Sequence, residues 1–506
     1  MEAAEIAVAE EDTRTGDSVG GGDDGDGPPP GRLDPWLLAG GFFLLYAALS
    51  VGRDRRMLSQ SWDLGIFEQA IKSYAHFHAP VAILKGPGFN VLGDHFSPVI
   101  ALIAPFYRLF PTSVTLLVAQ ALLFGISVVP VARAAGRGLG RAAGLLLGTA
   151  YGLSWGIQNA VDFDFHEVAF AMPLLGFSLE AVLRRRWAAA MWWALPLVLV
   201  KEDLGASVAL IGLVVWLRAR PAGDRENEGG TREKESEGRA GRTRRYAIRL
   251  AVFGVAASLW EIDRLIPAFH GPGYDMLTHI NGEGSVTGHI PVDTAIRTLL
   301  WILLPTSGLL ALRSPLLLVA LPTIGWRFLS HYPENWGTGW HYSAVLMPVV
   351  FLALVDAAGA VAAGGPGDGK LRRWARGYAG GMPLAAAAAA VALSTQLPLA
   401  GLTHTAAYTV DARTRAAERL LARIPDGATV EANVGPISSL VSRTNVYWLG
   451  GTKGVTPRYL ALQGDVGENG EVRWPGDPVE YARELHPGAR YGLLGKAGGY
   501  VVLRRE

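Results

Sequence analysis

The chain has 506 residues, 50% of them hydrophobic and 18% charged, with 15 Trp, no Cys and a mean hydropathy of +0.23. Long apolar runs separated by tufts of charge mark a polytopic membrane protein, and the lack of Cys excludes disulfides, thiolate catalysis and zinc–thiolate sites. The net charge of +1 gives no sign of a nucleic-acid partner, because the two signs are sorted by location along the chain.

Residues 1–34 are rich in Gly, Asp and Glu and contain Pro28-Pro29-Pro30. They carry too little apolar surface to fold, so a disordered cytoplasmic tail is expected. No basic segment precedes an early apolar stretch, so Pro35–Val51 reads as an uncleaved anchor. It opens a multispanning domain over 35–400, whose further expected spans are Thr112–Ala132, Arg141–Ile157, Glu167–Leu183, Trp187–Val200 and Leu204–Leu217. Ala247–Phe269, Ala295–Leu312, Pro315–Leu329, Tyr342–Ala362 and Tyr378–Ala400 bring the total to about eleven.

Lys and Arg bias sets orientation. With the N-terminus inside, the clusters at Arg133/Arg137, Arg184–Arg186, Arg218 to Arg249, Arg313 and Lys370 to Arg376 all face the cytoplasm. Arg53, Arg55 and Arg56 fall on the other side and are outvoted. Within this scheme 218–246, mixed in charge and Gly-rich, is expected to be a disordered cytoplasmic loop. The last segment, 401–506, lies outside the cell membrane. Thr414–Ile424 reads there as an amphipathic helix, followed by short β-type runs, with Gly498-Gly499 as a hairpin turn. The predicted fold is an all-α polytopic bundle carrying a small extracytoplasmic α/β domain.

The outer loops hold the chemistry. "SWDLGIFEQ" places Asp63 and Phe67 on one helical face and Glu68 about 140° from Asp63; an interfacial helix anchored by Trp62 and Phe67 is the bland reading. In "GDHFSP", Asp94 and His95 sit in a turn, where Asp94 also suits a helix cap. "DFDFHE" packs four ionisable groups into six residues. If it is extended, Asp162 and Asp164 point the same way, and with His166 and Glu167 they form a candidate site for Mg²⁺ or Mn²⁺. Trp187 to Leu217 cannot be one span without breaking the basic pattern, so the chain turns at Lys201-Glu202-Asp203. Each arm of about 14 residues makes only about 21 Å of helix, which places the three charges at membrane depth. They sit there either in a cavity open to the outside or as an internal Lys–acid pair that pins the turn. "HYPENWGTGWHY" sets His331, Tyr332, Glu334, Trp340, His341 and Tyr342 together, either as an interfacial aromatic belt or as rings and acids that grip a sugar. Glu261, Asp263 and Arg264 lie inside the seventh expected span and are functional candidates on that ground.

Seven stretches in order carry a resemblance: "WDLGIFEQA", "GDHFSPVIALIAPFYRL", "TLLVAQALL", "DFDFHEVAFAMPLL", "VKEDLG", "HYSAVLMP" and "IPDGATVEANVGPISSLVSR". Together they resemble the DUF2079 family of bacterial multispanning membrane proteins, which is similar in turn to the GT-C class of membrane glycosyltransferases. The resemblance implies polyprenyl-phosphate-linked sugar donors, an acidic residue in the first outer loop serving transfer, and a second acidic motif after the third span. Asp63 and Asp162/Asp164 occupy those two loops. On this reading Asp63 acts as general base and Lys201, Glu202 and Asp203 complete the catalytic set. Trp62, Glu68, Asp94, His95 and the His331–Tyr342 group bind substrate, and Asp162, Asp164, His166 and Glu167 hold a metal. The expected partners are membrane lipids, the carrier-linked sugar and a glycan or protein acceptor. A lipid or polysaccharide flippase, or another transporter, is the competing class, since charges inside the membrane also mark substrate pathways. A non-catalytic scaffold presenting the C-terminal domain is the third.

Overall fold

The computed structural model describes residues 31–219, 230–270, 289–363, 369–466, 472–473 and 476–506. The expected tail therefore lies, up to residue 30, outside the described residues. Helix α1 (Asp34–Arg55) begins with Pro35 in its first turn, where the missing N–H costs nothing, and α2 (Asp63–Ala75) follows after a short link. The bundle continues through α3 (Ser113–Leu139), α4 (Arg141–Gly152), α5 (Trp155–Asp162), α6 (Ala171–Leu183), α7 (Trp187–Ala194) and α8 (Leu204–Arg218). Then come α9 (Gly230–Trp260), α10 (Val292–Ser307), α11 (Leu321–Leu329), α12 (Leu346–Ala363) and α13 (Lys370–Ser394).

Among the described residues four helices, α1, α3, α12 and α13, are long and apolar enough to cross a bilayer. The other expected spans are helical but shorter or interrupted, so eleven full spans are not established. Proline accounts for two of the interruptions. Pro196 and Pro315 each open a 3₁₀ segment, Leu195–Leu199 and Pro315–Ala320, because proline withholds a donor from the α ladder. The expected disordered loop at 218–246 needs correction. Residues 220–229 lie outside the described residues, but α9 starts at Gly230, and its basic first half runs without a break into apolar turns that pack on α8. A π turn, Glu261–Leu265, follows α9. It buries Glu261 and leaves Asp263 and Arg264 exposed and paired with each other at 3.1 Å.

The C-terminal domain is α/β. Its five-stranded sheet has the order β2-β1-β3-β7-β6, built from β1 (Thr429–Ala432), β2 (Asn445–Trp448), β3 (Tyr459–Gln463), β6 (Tyr491–Ala497) and β7 (Tyr500–Arg505). The strands β4 (Asp465–Val466) and β5 (Val472–Arg473) form a separate antiparallel pair. β1 pairs parallel with β2 and β3, whereas β7 is antiparallel to both β3 and β6. The β6–β7 hairpin turns at Gly498-Gly499, both at positive φ (+60° and +89°), as a two-residue hairpin of this type requires. The amphipathic helix expected at Thr414–Ile424 is α14 (Ala412–Leu421), capped by Asp411 accepting from the Thr414 N–H. β3, the middle strand, and the helices α15 (Val434–Leu440) and α16 (Pro478–Leu485) were not expected.

Candidate active site at one end of the bundle

α2 starts on the residue of interest. The Asp63 N–H donates to Ser61 Oγ (3.1 Å), and Ser61 Oγ–H donates back to Asp63 Oδ2 (2.7 Å). His166 Nε2 stands 3.6 Å from the same carboxylate oxygen. Burial would raise the Asp63 carboxyl, but the polar contact and charge of His166, then Ser61 and the charge of Lys85, hold it below the usual carboxylate range.

Gln120, buried in α3, fixes the loop that delivers His166. Its Oε1 accepts the His166 N–H (2.9 Å) and its Nε2 donates to the Asp164 carbonyl (2.6 Å). This loop is not extended. Asp162 is the last residue of α5, and Asp164 has φ +65°, so the two carboxylates find separate partners. Asp162 pairs with Arg53 at 2.9 Å and takes the Gln60 side chain, while Asp164 accepts the Gln60 backbone N–H (3.1 Å). Burial pushes the Asp164 carboxyl up to about 6. Arg53, which broke the basic sorting, is thus part of the wall of the site. Glu167 turns the other way, to Lys201 (3.3 Å). Among the described residues no three His, Asp or Glu side chains are grouped closely enough to hold a metal ion. The four expected ligands are thus not brought together as one group: Asp162 and Asp164 turn to Arg53 and Gln60, and Glu167 to Lys201.

The charged turn after α7 meets the same region. Glu202 Oε1 lies 2.7 Å from His95 Nδ1, and its Oε2 accepts the Phe96 N–H at 3.2 Å. Lys201 also lies over the Trp326 ring, 5.9 Å from its centroid. Burial would lower the Lys201 ammonium, but Glu167, Glu202 and Asp203 raise it above its ordinary value; burial brings Asp203 up to about 6. The side chains of Lys201 and Glu202 are only 12% and 15% exposed. The turn is thus lined by protein, and the acid paired with Lys201 comes from the "DFDFHE" loop rather than from its own neighbours. Asp94, instead of capping a helix, pairs with Lys85.

From the aromatic loop, His341 stacks on His166 with centroids 3.7 Å apart, Trp340 meets Phe163 edge-on at 4.3 Å, and the Tyr342 ring lies 4.2 Å from His341. Burial, followed by the charges of His166 and Lys201, lowers the His341 imidazole well below its usual value. Arg327, wholly buried on α11, shapes this loop by donating to the carbonyls of Asn335 (2.8 Å) and Gly337 (2.5 Å) and to Ser343 Oγ (3.1 Å). His331 sets its ring 5.6 Å from His289, Tyr332 is exposed just before the short helix Pro333–Trp336, and Glu334 is exposed on it. Trp62 packs on Trp448 of the C-terminal domain at 4.6 Å.

The structure thus gathers Asp63, His166, Glu167, Lys201, Glu202, Asp203, His95, His341 and Tyr342 from five segments of the chain. Glu68 is a correction. It is fully buried on the inner face of α2, where it accepts from the Tyr107 hydroxyl (2.9 Å), so it cannot touch a substrate. Burial pushes its carboxyl up to about 8, which keeps it protonated at neutral pH. Sequence reasoning missed Lys85, Gln120, Trp326 and Arg327. Only Lys85 had a signal, as a lone cation in the polar loop ahead of Asp94.

The profile of the family described as "Predicted membrane protein (DUF2079)" matches residues 53–453. The crystal structure of ArnT from Cupriavidus metallidurans bound to undecaprenyl phosphate is similar, with a TM-score of 0.56 and 14% identity, covering 93% of this chain and 98% of that one. The apo state of the same protein aligns with a TM-score of 0.48 at 14% identity, over 92% and 97% of the two chains. At this identity the likeness is one of fold. No curated protein sequence matches the chain.

Proposed function

Because the chain belongs to the DUF2079 family of predicted membrane proteins, and its fold is like that of ArnT, we propose that it is a membrane-embedded glycosyltransferase of GT-C type. It moves a sugar from a polyprenyl-phosphate carrier to the hydroxyl of an envelope acceptor on the outer face of the cell membrane. The carrier class is suggested by the undecaprenyl phosphate bound to ArnT. The observation that carries the reading is the convergence of an ionised Asp63 with His166, Lys201 and Lys85 at one end of a helical bundle.

The arrangement suits an inverting displacement. The acceptor oxygen forms a bond to the anomeric carbon as its proton passes to Asp63, and the bond from that carbon to the phosphate oxygen breaks. The electron pair leaves with the carrier phosphate. Asp63, held ionised, becomes an effective proton acceptor as the hydroxyl acidifies in the transition state. His166 and Ser61 fix its orientation, and the cationic Lys201 sits where it offsets charge on the departing phosphate. Trp340, exposed and packed edge-on against Phe163, is the ring available to the sugar, while the buried Phe163–His166–His341 stack holds the loop behind it.

The test is Asp63→Asn, nearly isosteric, in purified protein given a polyprenyl-phosphate sugar. Transfer should fall by roughly 10²–10⁴-fold, the usual worth of a positioned base, with the melting temperature retained. Wild-type turnover in this variant would sink the proposal. Lipid movement that the variant loses, with no glycosyl bond chemistry in the wild type, would favour a flippase.

A further inference from the structure

The end of α1 remote from Asp63 carries a second polar assembly that sugar transfer does not use. α1 has 22 residues, about 33 Å at 1.5 Å per residue. Its Asp34 end and its Arg55 end therefore stand about one hydrocarbon core apart. At the Asp34 end, α1, α3 and α4 enclose a cavity of about 330 Å³ whose lining includes Arg32, Arg133, Arg137, Arg141, Trp36 and Leu145.

Cationic groups outnumber anionic ones there. Glu180 of α6, 2% exposed, takes Arg133 Nε at 2.6 Å, Arg137 Nη1 at 2.8 Å and Arg184 Nη1 at 3.8 Å. Arg141 Nε reaches Asp34 at 2.6 Å. With Arg32, five guanidinium groups meet two carboxylates. Glu180 has two oxygens, whereas each guanidinium has five N–H donors, so much of the donor capacity is not taken up by these pairs. Arg137 is 49% exposed and Arg141 63%. The outer wall is apolar, with Leu33, Trp36, Leu37 and Leu145 all exposed, and Trp is the side chain most at home at headgroup level. A guanidinium fork matches a phosphate bidentately, and basic pockets between membrane helices suit anionic lipid headgroups. A free phosphate ion would use the arginines and gain nothing from Trp36 or Leu145. A phospholipid uses both.

We propose that this cavity binds the phosphate headgroup of an anionic phospholipid, in the leaflet opposite Asp63, with its glycerol and acyl chains along Trp36 and Leu145. The proposal is independent of the transfer reading, since a carrier phosphate reacting at Asp63 is held a bilayer core away.

Full-length protein in neutral detergent, titrated with phosphatidylglycerol, phosphatidylcholine of the same chains and inorganic phosphate, tests it by native mass spectrometry. Phosphatidylglycerol should bind at least about tenfold tighter than phosphatidylcholine, with the preference falling as salt rises. Arg32→Gln and Arg141→Gln, both exposed and neither paired to Glu180, should each weaken it roughly fivefold. Arg313→Gln, at an exposed arginine outside the cavity, should leave it unchanged. Equal binding of the two lipids by the wild type would overturn the proposal, whatever the variants do. So would a preference that survives the double substitution. Displacement of phosphatidylglycerol by inorganic phosphate at equal concentration would reassign the cavity to the free ion and overturn the lipid reading.

Discussion

Replacing Glu202 by Gln removes one negative charge from the turn that joins the two short arms of the bundle. Glu202 holds His95 at 2.7 Å and the Phe96 N–H at 3.2 Å, so it ties the turn to the loop carrying Asp94. Burial alone would raise its carboxyl, but the charge and hydrogen bond of His95, then Lys201, bring it from 4.5 to about 2. That displacement corresponds to about 3 kcal/mol of folding free energy. The Glu202 contribution is present above 4.5 and is lost as pH falls from there through about 2. His95 behaves in the opposite sense. Burial would lower it, but Glu202 raises it above 6.5. Its share of the pair is complete below 6.5 and is lost as pH rises through its raised value. The difference in melting temperature between wild type and Glu202→Gln should therefore be flat and largest from about pH 4.5 to 6.5, and should narrow on both sides. Thermal unfolding of the two proteins in neutral detergent from pH 3 to 9 reads this directly, with a plateau of roughly 5 °C. A difference that widens above pH 7, or stays constant to pH 9, would refute the pairing.

The contact between Trp62 and Trp448, 4.6 Å between centroids, should show in a double-mutant cycle to Ala as a coupling of about 1 kcal/mol in stability; additive single effects would mean that the rings do not support each other. Because the acids of the "DFDFHE" loop are taken by Arg53, Gln60 and Lys201, chelation should leave sugar transfer unchanged, and a loss above tenfold that Mg²⁺ restores would disprove that reading of the loop. Reporter fusions at Gly229 and Gly367 should report the cytoplasm, and fusions at Gly337 and Glu506 the exterior; a cytoplasmic C-terminus would invert the site and the lipid cavity together.

The parts of the site that were legible in the sequence are those where charge interrupts apolar sequence. Asp63, the "DFDFHE" loop and Lys201-Glu202-Asp203 stand out because no solvated surface surrounds them in the chain. Their pairings were not legible. Glu167 reaches Lys201 and Asp162 reaches Arg53 through tertiary packing, and the extended geometry assumed for Asp162 and Asp164 failed because one residue ends a helix and the other adopts positive φ. Gln120 and Arg327 are single polar residues in apolar helices. Such residues have no periodic signature, and only the loops they hold reveal their role. β3 was missed for a related reason. "YLALQ" is buried on both faces, so it lacks the alternation that marks a half-exposed strand. Of the expected spans only four are single long apolar helices among the described residues; length and apolarity do not register the prolines that turn parts of two others into 3₁₀ segments.

The seating of α2 has a consequence for the order of events during synthesis. The Gln69 side chain donates to the Val446 carbonyl, a partner 377 residues away, and Lys72 donates to Val441 O, 369 residues away. A methyl group on Gly65 would lie 2.3 Å from Ile437 Cγ2, so this face of α2 is shaped to α15 and β2 rather than to lipid. At about 5–20 residues per second, a growing chain takes roughly 20–75 seconds to pass from one side of this contact to the other. Through that interval the helix that begins with Asp63 exists without the surface that holds it. The seat of α2 is therefore completed late in synthesis, only when the β1–β2 region folds down onto this helix.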